Sequence, residues 1–121
     1  MHKMNHYHLM WHFVCQFGEP GYHGIGYLLK ILQKYEAHGF SRDTADYKLL
    51  LSEIASEKGI QPDSIKRSIQ RYVKQGWKIE ETHKRWQYYT GWKESTPPNA
   101  DTAIRLICES FDNFAKANLE D

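Results

Sequence analysis

Between Leu51 and Trp77 the chain reads LSEIASEKGIQPDSIKRSIQRYVKQGW, and no other stretch constrains the fold as tightly. Leu50, Leu51, Ile54 and Ala55 keep the i, i+3, i+4 rhythm of a helix with one apolar face, and Ala55 is small where a second helix must cross closely. Gly59 stands where that helix needs a left-handed terminus, which glycine adopts without a Cβ penalty. Ile60 plugs the turn. Pro62 and Asp63 begin a second helix, since proline is tolerated in a first turn and a carboxylate favours the positive helix end. The pattern predicts a helix-turn-helix.

At about 100° per residue, Ile65, Ser68, Ile69, Tyr72, Val73 and Gly76 gather on one side of the second helix. Asp63, Lys66, Arg67, Gln70, Arg71 and Lys74 gather on the other. The first set can pack against a partner helix. The second is long, polar and cationic, and suits a major groove, where arginine pairs bidentately with guanine and glutamine with adenine. An ordinary solvated helix face would carry charge too; the Ala55, Gly59 and Ile65 spacing is what favours a DNA-reading role for Ser64, Lys66, Arg67, Gln70, Arg71 and Lys74.

With 121 residues and a net charge of +1, the chain has length for one real core and no global basic signature. Its charge is uneven, however. Residues 64–85 hold seven Lys or Arg against two Glu, whereas 100–121 hold Arg105 and Lys116 against five acids. The basic segment points at a polyanion. Cys15 and Cys108 are too few and too far apart for a disulfide framework or a zinc site and are read as reduced thiols. No apolar run approaches the ~20 residues that cross a bilayer, and the N-terminus lacks a continuous signal core. A cytoplasmic protein without a membrane partner is expected.

The remaining segments read as further helices. Residues 1–20 form a His-rich extension ahead of a domain spanning 21–121. His2 with His6, and His8 with His12, have i, i+4 spacing, but nothing completes a ligand set, so no metal or other cofactor is expected. Leu9, Met10, Phe13, Val14 and Phe17 form an apolar stripe that docks on the rest or on another copy. Gly18, Pro20 and Gly21 mark a linker. From Tyr22 to His38, Ile25, Leu28, Leu29, Leu32 and Tyr35 share a core face, with Lys30, Gln33, Lys34 and Glu36 outward. Gly39 caps this helix, and Phe40 returns to the core. Ser41, Asp43 and Thr44 are candidate N-caps for the next helix. After Trp77, the aromatics Trp86, Tyr88, Tyr89 and Trp92 lie among His83, Lys84 and Arg85. Such interleaving can stack single-stranded bases, yet Trp86, Tyr89 and Trp92 also have helical spacing and are expected in the core, leaving Lys84 and Arg85 free for phosphates. Pro97 and Pro98 break the chain. A last helix from about Ala100 buries Ala103, Ile104, Ile107, Cys108, Phe111, Phe114 and Ala115.

Taken in order from Gly21 to Phe114, these segments resemble the C-terminal DNA-binding domain of the stage-zero sporulation response regulators of endospore-forming bacteria. The resemblance rests on GYLLKILQKY, LLLSEIASEKG, SIKRSIQRYVKQGW, the helix before the PPN turn and the closing amphipathic helix. It implies an all-α, compact multi-helix bundle of about six helices containing a helix-turn-helix. It also implies tandem sites upstream of promoters and contact with an RNA polymerase sigma subunit through the region after the recognition helix. By position, Lys66, Arg67 and Gln70 would face base edges, and Arg71 and Lys74 the backbone. The family has an acid at the position of Lys66 and an arginine at that of Gln70, so its operator does not transfer. No phosphoacceptor domain is expected ahead of the DNA-binding part, and the family's control by phosphorylation is not expected to transfer either.

The expectation is therefore a sequence-specific transcription regulator that binds double-stranded DNA as a homodimer. The alternative is a protein-interaction module of the same fold, binding a sigma factor, polymerase or another regulator. With no nucleophile elbow, paired catalytic carboxylates or phosphate loop, enzymatic turnover is not expected.

Overall fold

The apolar stripes of the sequence become the buried faces of six α-helices in the computed structural model, which describes residues 6–119. In chain order these are α1 (His6–Val14), α2 (His23–Ala37), α3 (Tyr47–Lys58), α4 (Pro62–Trp77), α5 (Glu80–Thr90) and α6 (Ala100–Leu119), with a single 3-10 turn at Cys15–Phe17 after α1. The class is all-α, and no strand occurs among the described residues. No described helix is long and apolar enough to cross a membrane.

The hydrophobic core is continuous across Gly21. Leu9, Met10, Phe13, Val14 and Phe17 are buried together with the core residues of α2 to α6. Phe13 lies 5.6 Å from Phe111 and 4.8 Å from Phe114 between ring centroids, so α1 packs on α6 through aromatic contacts.

The end of α1 and its 3-10 turn would expose carbonyls with no intrahelical partner, as every helix C-terminus does. Three donors from elsewhere meet them. The Tyr72 hydroxyl donates to the Val14 carbonyl, Arg85 Nε to Gln16 at 2.9 Å, and Trp86 Nε1 to Phe17 at 3.0 Å. Tyr72 and Trp86 are fully buried, so their two bonds lie in the low-dielectric interior, where leaving a carbonyl unpaired would be costly. The N-terminal segment is thereby bonded to α4 and α5.

Helix α2 crosses α4 at close range. A Cβ on Gly24 would stand 2.5 Å from the Ser68 carbonyl oxygen, and one on Gly76 would stand 2.6 Å from that of Phe17. Only hydrogen fits at Gly24, where α2 crosses α4, or at Gly76, where α4 meets the 3-10 turn. The buried face of α2 contains Ile25, Leu28, Leu29, Leu32 and Tyr35 as its periodicity predicts, together with Ile31, which lies just outside that stripe.

Helix α3 is capped by Asp46, whose carboxylate accepts the Leu49 amide at 3.0 Å. The sequence offered Ser41, Asp43 and Thr44 for this role. Ser41 and Thr44 instead bond to each other within their own turn, one residue cluster too early to reach the helix. Lys34 pairs with Glu57, and His38 Nε2 lies 2.7 Å from Glu53, which ties α2 to α3 along their polar margins.

Gly59 ends α3 with φ 67° and ψ 35°, the left-handed conformation expected of it. The Ile60 amide donates back to the Ala55 carbonyl at 3.0 Å. Helix α4 starts at Pro62, with Asp63 in its first turn. Ile65, Ile69, Tyr72, Val73 and Gly76 are buried, and Ser68 is half-buried at the α2 crossing.

Candidate nucleic-acid interface

The polar side of α4 divides into a centre and a flank. Arg67, Arg71 and Lys74 are exposed along the centre, directly opposite the buried stripe. Lys78 follows Lys74 by one turn, is exposed and keeps right-handed helical φ/ψ, so it lengthens the same row. The i, i+4 step from Lys74 was the signal for it in the sequence, although the helix formally ends at Trp77. Among the described residues no carboxylate pairs with Arg67, Arg71 or Lys74. Arg67 makes one long bond, 3.3 Å, to the hydroxyl of Ser64, which lies on the same row one turn earlier.

Lys66 and Gln70 form the flank that faces α6. Lys66 Nζ is 3.1 Å from Asp101 Oδ1. Gln70 uses both ends of its amide: Oε1 accepts the Ala100 amide at 2.8 Å, and Nε2 donates to the Pro98 carbonyl at 3.4 Å. Asn99 Oδ1 takes the Thr102 amide, so the first turn of α6 has two side-chain acceptors. Lys66 and Gln70 are therefore both engaged with the start of α6.

The two basic residues that follow α4, Lys84 and Arg85, separate. Lys84 is exposed and pairs with Glu80 at 3.4 Å, an i, i+4 contact that competes little with solvent. Arg85, expected to be free for phosphates, makes two intramolecular hydrogen bonds. It is half-buried, with Nε donating to the Gln16 carbonyl and Nη2 to the Thr82 hydroxyl, and serves as a strut between α5 and the N-terminal segment.

Two of the interleaved aromatics pack as their helical spacing predicts, whereas Trp92 lies past the end of α5, half-buried outside the core, with its indole donating to the Thr96 carbonyl at 2.8 Å. Trp86 is buried, and Tyr89 packs on Phe13 and Phe114. The Trp77 indole donates to the Ser95 carbonyl and lies 3.9 Å from the His83 ring, which fastens the chain after α5 to the end of α4. Tyr88 alone projects, at 81% exposure.

The cysteines are free thiols, and burial pushes both up from the ordinary thiol range, most strongly at Cys108. A buried neutral thiol is a poor nucleophile and a poor ligand. Among the described residues no group of three or more His, Cys, Asp or Glu side chains is placed to hold a metal. The His2 and His6 pair falls partly outside them.

Compared with models of protein families, with curated proteins and with solved structures, the chain has no match.

Proposed function

We propose that the chain is a sequence-specific DNA-binding transcription regulator in which α3 and α4 act as a helix-turn-helix and α4 enters the major groove. One observation carries this reading: Arg67, Arg71 and Lys74 form an exposed row without carboxylate partners among the described residues, on a helix whose opposite face is buried. A B-form major groove admits one α-helix. In that pose Arg67, in the N-terminal half of α4, reaches base edges, while Arg71 and Lys74 meet phosphates. Ser64 steers the Arg67 guanidinium. The resemblance to the sporulation regulators adds two further elements to the proposal, pairing of two copies on adjacent sites and contact with a sigma subunit by the region after α4. A cytoplasmic location accords with a DNA partner.

Selection of bound duplexes from a random pool tests the reading and returns the site together with it. Recovery of a shared sequence that Arg67→Ala no longer prefers is the expected result. A pool that stays random, with no retention in a mobility shift, would sink the proposal.

A second reading, a protein-interaction module of this fold, is favoured by the commitment of Lys66 and Gln70 to α6. It predicts capture of a sigma or polymerase subunit that survives high salt and proceeds without DNA.

A further inference from the structure

The flank of α4 opposite Lys66 and Gln70 is built differently. There the start of α2 leaves two adjoining surface grooves that share Gly21, Tyr22 and His23. One extends past Tyr27 and Lys30 to Lys58 at the end of α3, with a volume of about 350 Å³. The other extends to Ser68 and Arg71 on α4. Among the described residues no carboxylate lines either groove. Glu57, next to Lys58 in sequence, is held by Lys34. Lys58 Nζ lies 5.7 Å above the centre of the Tyr27 ring, which keeps its charge over the groove.

Arg71 belongs both to the second groove and to the exposed row of α4. The groove therefore opens immediately beside the surface assigned to the major groove. A helix lying in a groove about 12 Å wide is bordered on each side by a phosphate strand. On the α6 side, Lys66 is neutralised by Asp101. On the α2 side, Lys30 and Lys58 line one groove and Arg71 the groove adjoining it, and neither described lining has an acid.

We propose that these two adjoining grooves, one lined by Lys30 and Lys58 and the other by Arg71, form a continuous cleft that binds the phosphate backbone of the duplex that α4 reads. The inference rests on the proposed function, and it makes the protein's hold on DNA asymmetric: strong phosphate contact along the α2 side of α4 and weak contact along the α6 side.

The test uses the full chain, a labelled random-sequence duplex, and three proteins: wild type, the double variant Lys30→Gln with Lys58→Gln, and Lys116→Gln. Lys116 is fifteen residues along α6 from Asp101, about 22 Å at helical rise, and controls for loss of charge alone. Neither groove lysine is buried, and neither makes an ion pair among the described residues, so the double variant is expected to fold, which its melting midpoint checks. Binding is followed by anisotropy from about 50 to 200 mM salt. The double variant should bind about tenfold more weakly at the low end, and its slope of log K against log salt should be shallower by ~0.9 for each phosphate it no longer neutralises. Lys116→Gln should stay near wild type.

If wild type binds while the double variant keeps its slope and affinity, the cleft is not a phosphate site and the major-groove reading stands alone. If wild type binds no duplex, both readings fall. A free anion as the occupant would appear as shifts of the Tyr22 to Gly26 amides on adding inorganic phosphate, absent in the double variant, together with an unchanged salt slope; that combination also overturns the proposal.

Discussion

Gln70 Oε1 accepts the amide hydrogen of Ala100 at 2.8 Å, so a side chain of α4 caps the first turn of α6. A glutamine at this height on a recognition helix would ordinarily be assigned to adenine. Here its acceptor is taken by the fold, and its donor points at the Pro98 carbonyl. The expected phenotype of Gln70→Ala is therefore loss of stability, by ~0.5–2 kcal/mol as for other lost N-caps, with base preference retained. Urea unfolding and a repeat of the duplex selection check the two halves separately. Relaxed preference at one base pair with unchanged stability would return Gln70 to base reading.

Arg67→Ala should do the reverse. It should leave the unfolding midpoint near wild type and cost about 1–3 kcal/mol at one base pair of the selected site. Lys74→Ala should weaken all duplexes alike and make the salt slope shallower by about 0.9. Mobility-shift titrations on selected and point-altered duplexes separate the two.

Asp101 holds Lys66 and also places a negative charge beside the helix proposed to enter the major groove. Asp101→Asn should raise affinity for random duplex several-fold at low salt, with a stability change within about 1 kcal/mol because the pair is partly exposed and Asp101 also favours the start of α6. Adding Lys66→Ala should remove most of the gain. Anisotropy measurements on the four proteins of this cycle give the coupling directly.

Two glycines in α2 should respond oppositely to alanine. At Gly24 the new Cβ meets the Ser68 carbonyl oxygen at 2.5 Å, a backbone atom that cannot yield without moving α4. Gly24→Ala should lose several kcal/mol, at the severe end for point changes. A Cβ on Gly26 meets nothing within 4 Å, so Gly26→Ala should gain ~0.4–1 kcal/mol through helix propensity and a less flexible unfolded chain. Thermal denaturation of both variants is sufficient.

Burial holds the phenol of Tyr35 up at about 12 and those of Tyr47 and Tyr72 higher still, against about 10 in an unfolded chain. The folded state therefore keeps protons that the unfolded state sheds once the pH exceeds 10. Stability from these groups is whole below about pH 10 and declines as the pH rises through their folded values, by up to ~1.4 kcal/mol per pH unit from Tyr72 alone. Melting at about pH 9 and about pH 11 should show the drop. At neutral pH, Tyr72→Phe should cost about 1–3 kcal/mol by unpairing the buried Val14 carbonyl. Tyr35→Phe should be close to neutral, because the Tyr35 hydroxyl has no hydrogen-bond partner among the described residues.

By itself the sequence determined the helices, their buried faces and the turn at Gly59. Each of these follows from side-chain spacing within a few residues and from the backbone freedom of one glycine. It located the exposed row at Arg67, Arg71 and Lys74 for the same reason: residues opposite a buried stripe have nowhere to point but solvent. Partner choice among polar groups was different. Lys66 and Gln70 share the outer arc with Arg67, and nothing within α4 distinguishes them. Their contacts lie 35 and 30 residues away at Asp101 and Ala100, and exist only because α6 starts beside α4. Arg85 finds Gln16 across 69 residues in the same way. The adjoining grooves at Lys30 and Lys58 and at Arg71 draw on three helices, none of which marks them alone. Periodicity is a local property and legible along the chain, whereas hydrogen-bond partners and the walls of a cleft are set by how finished helices cross.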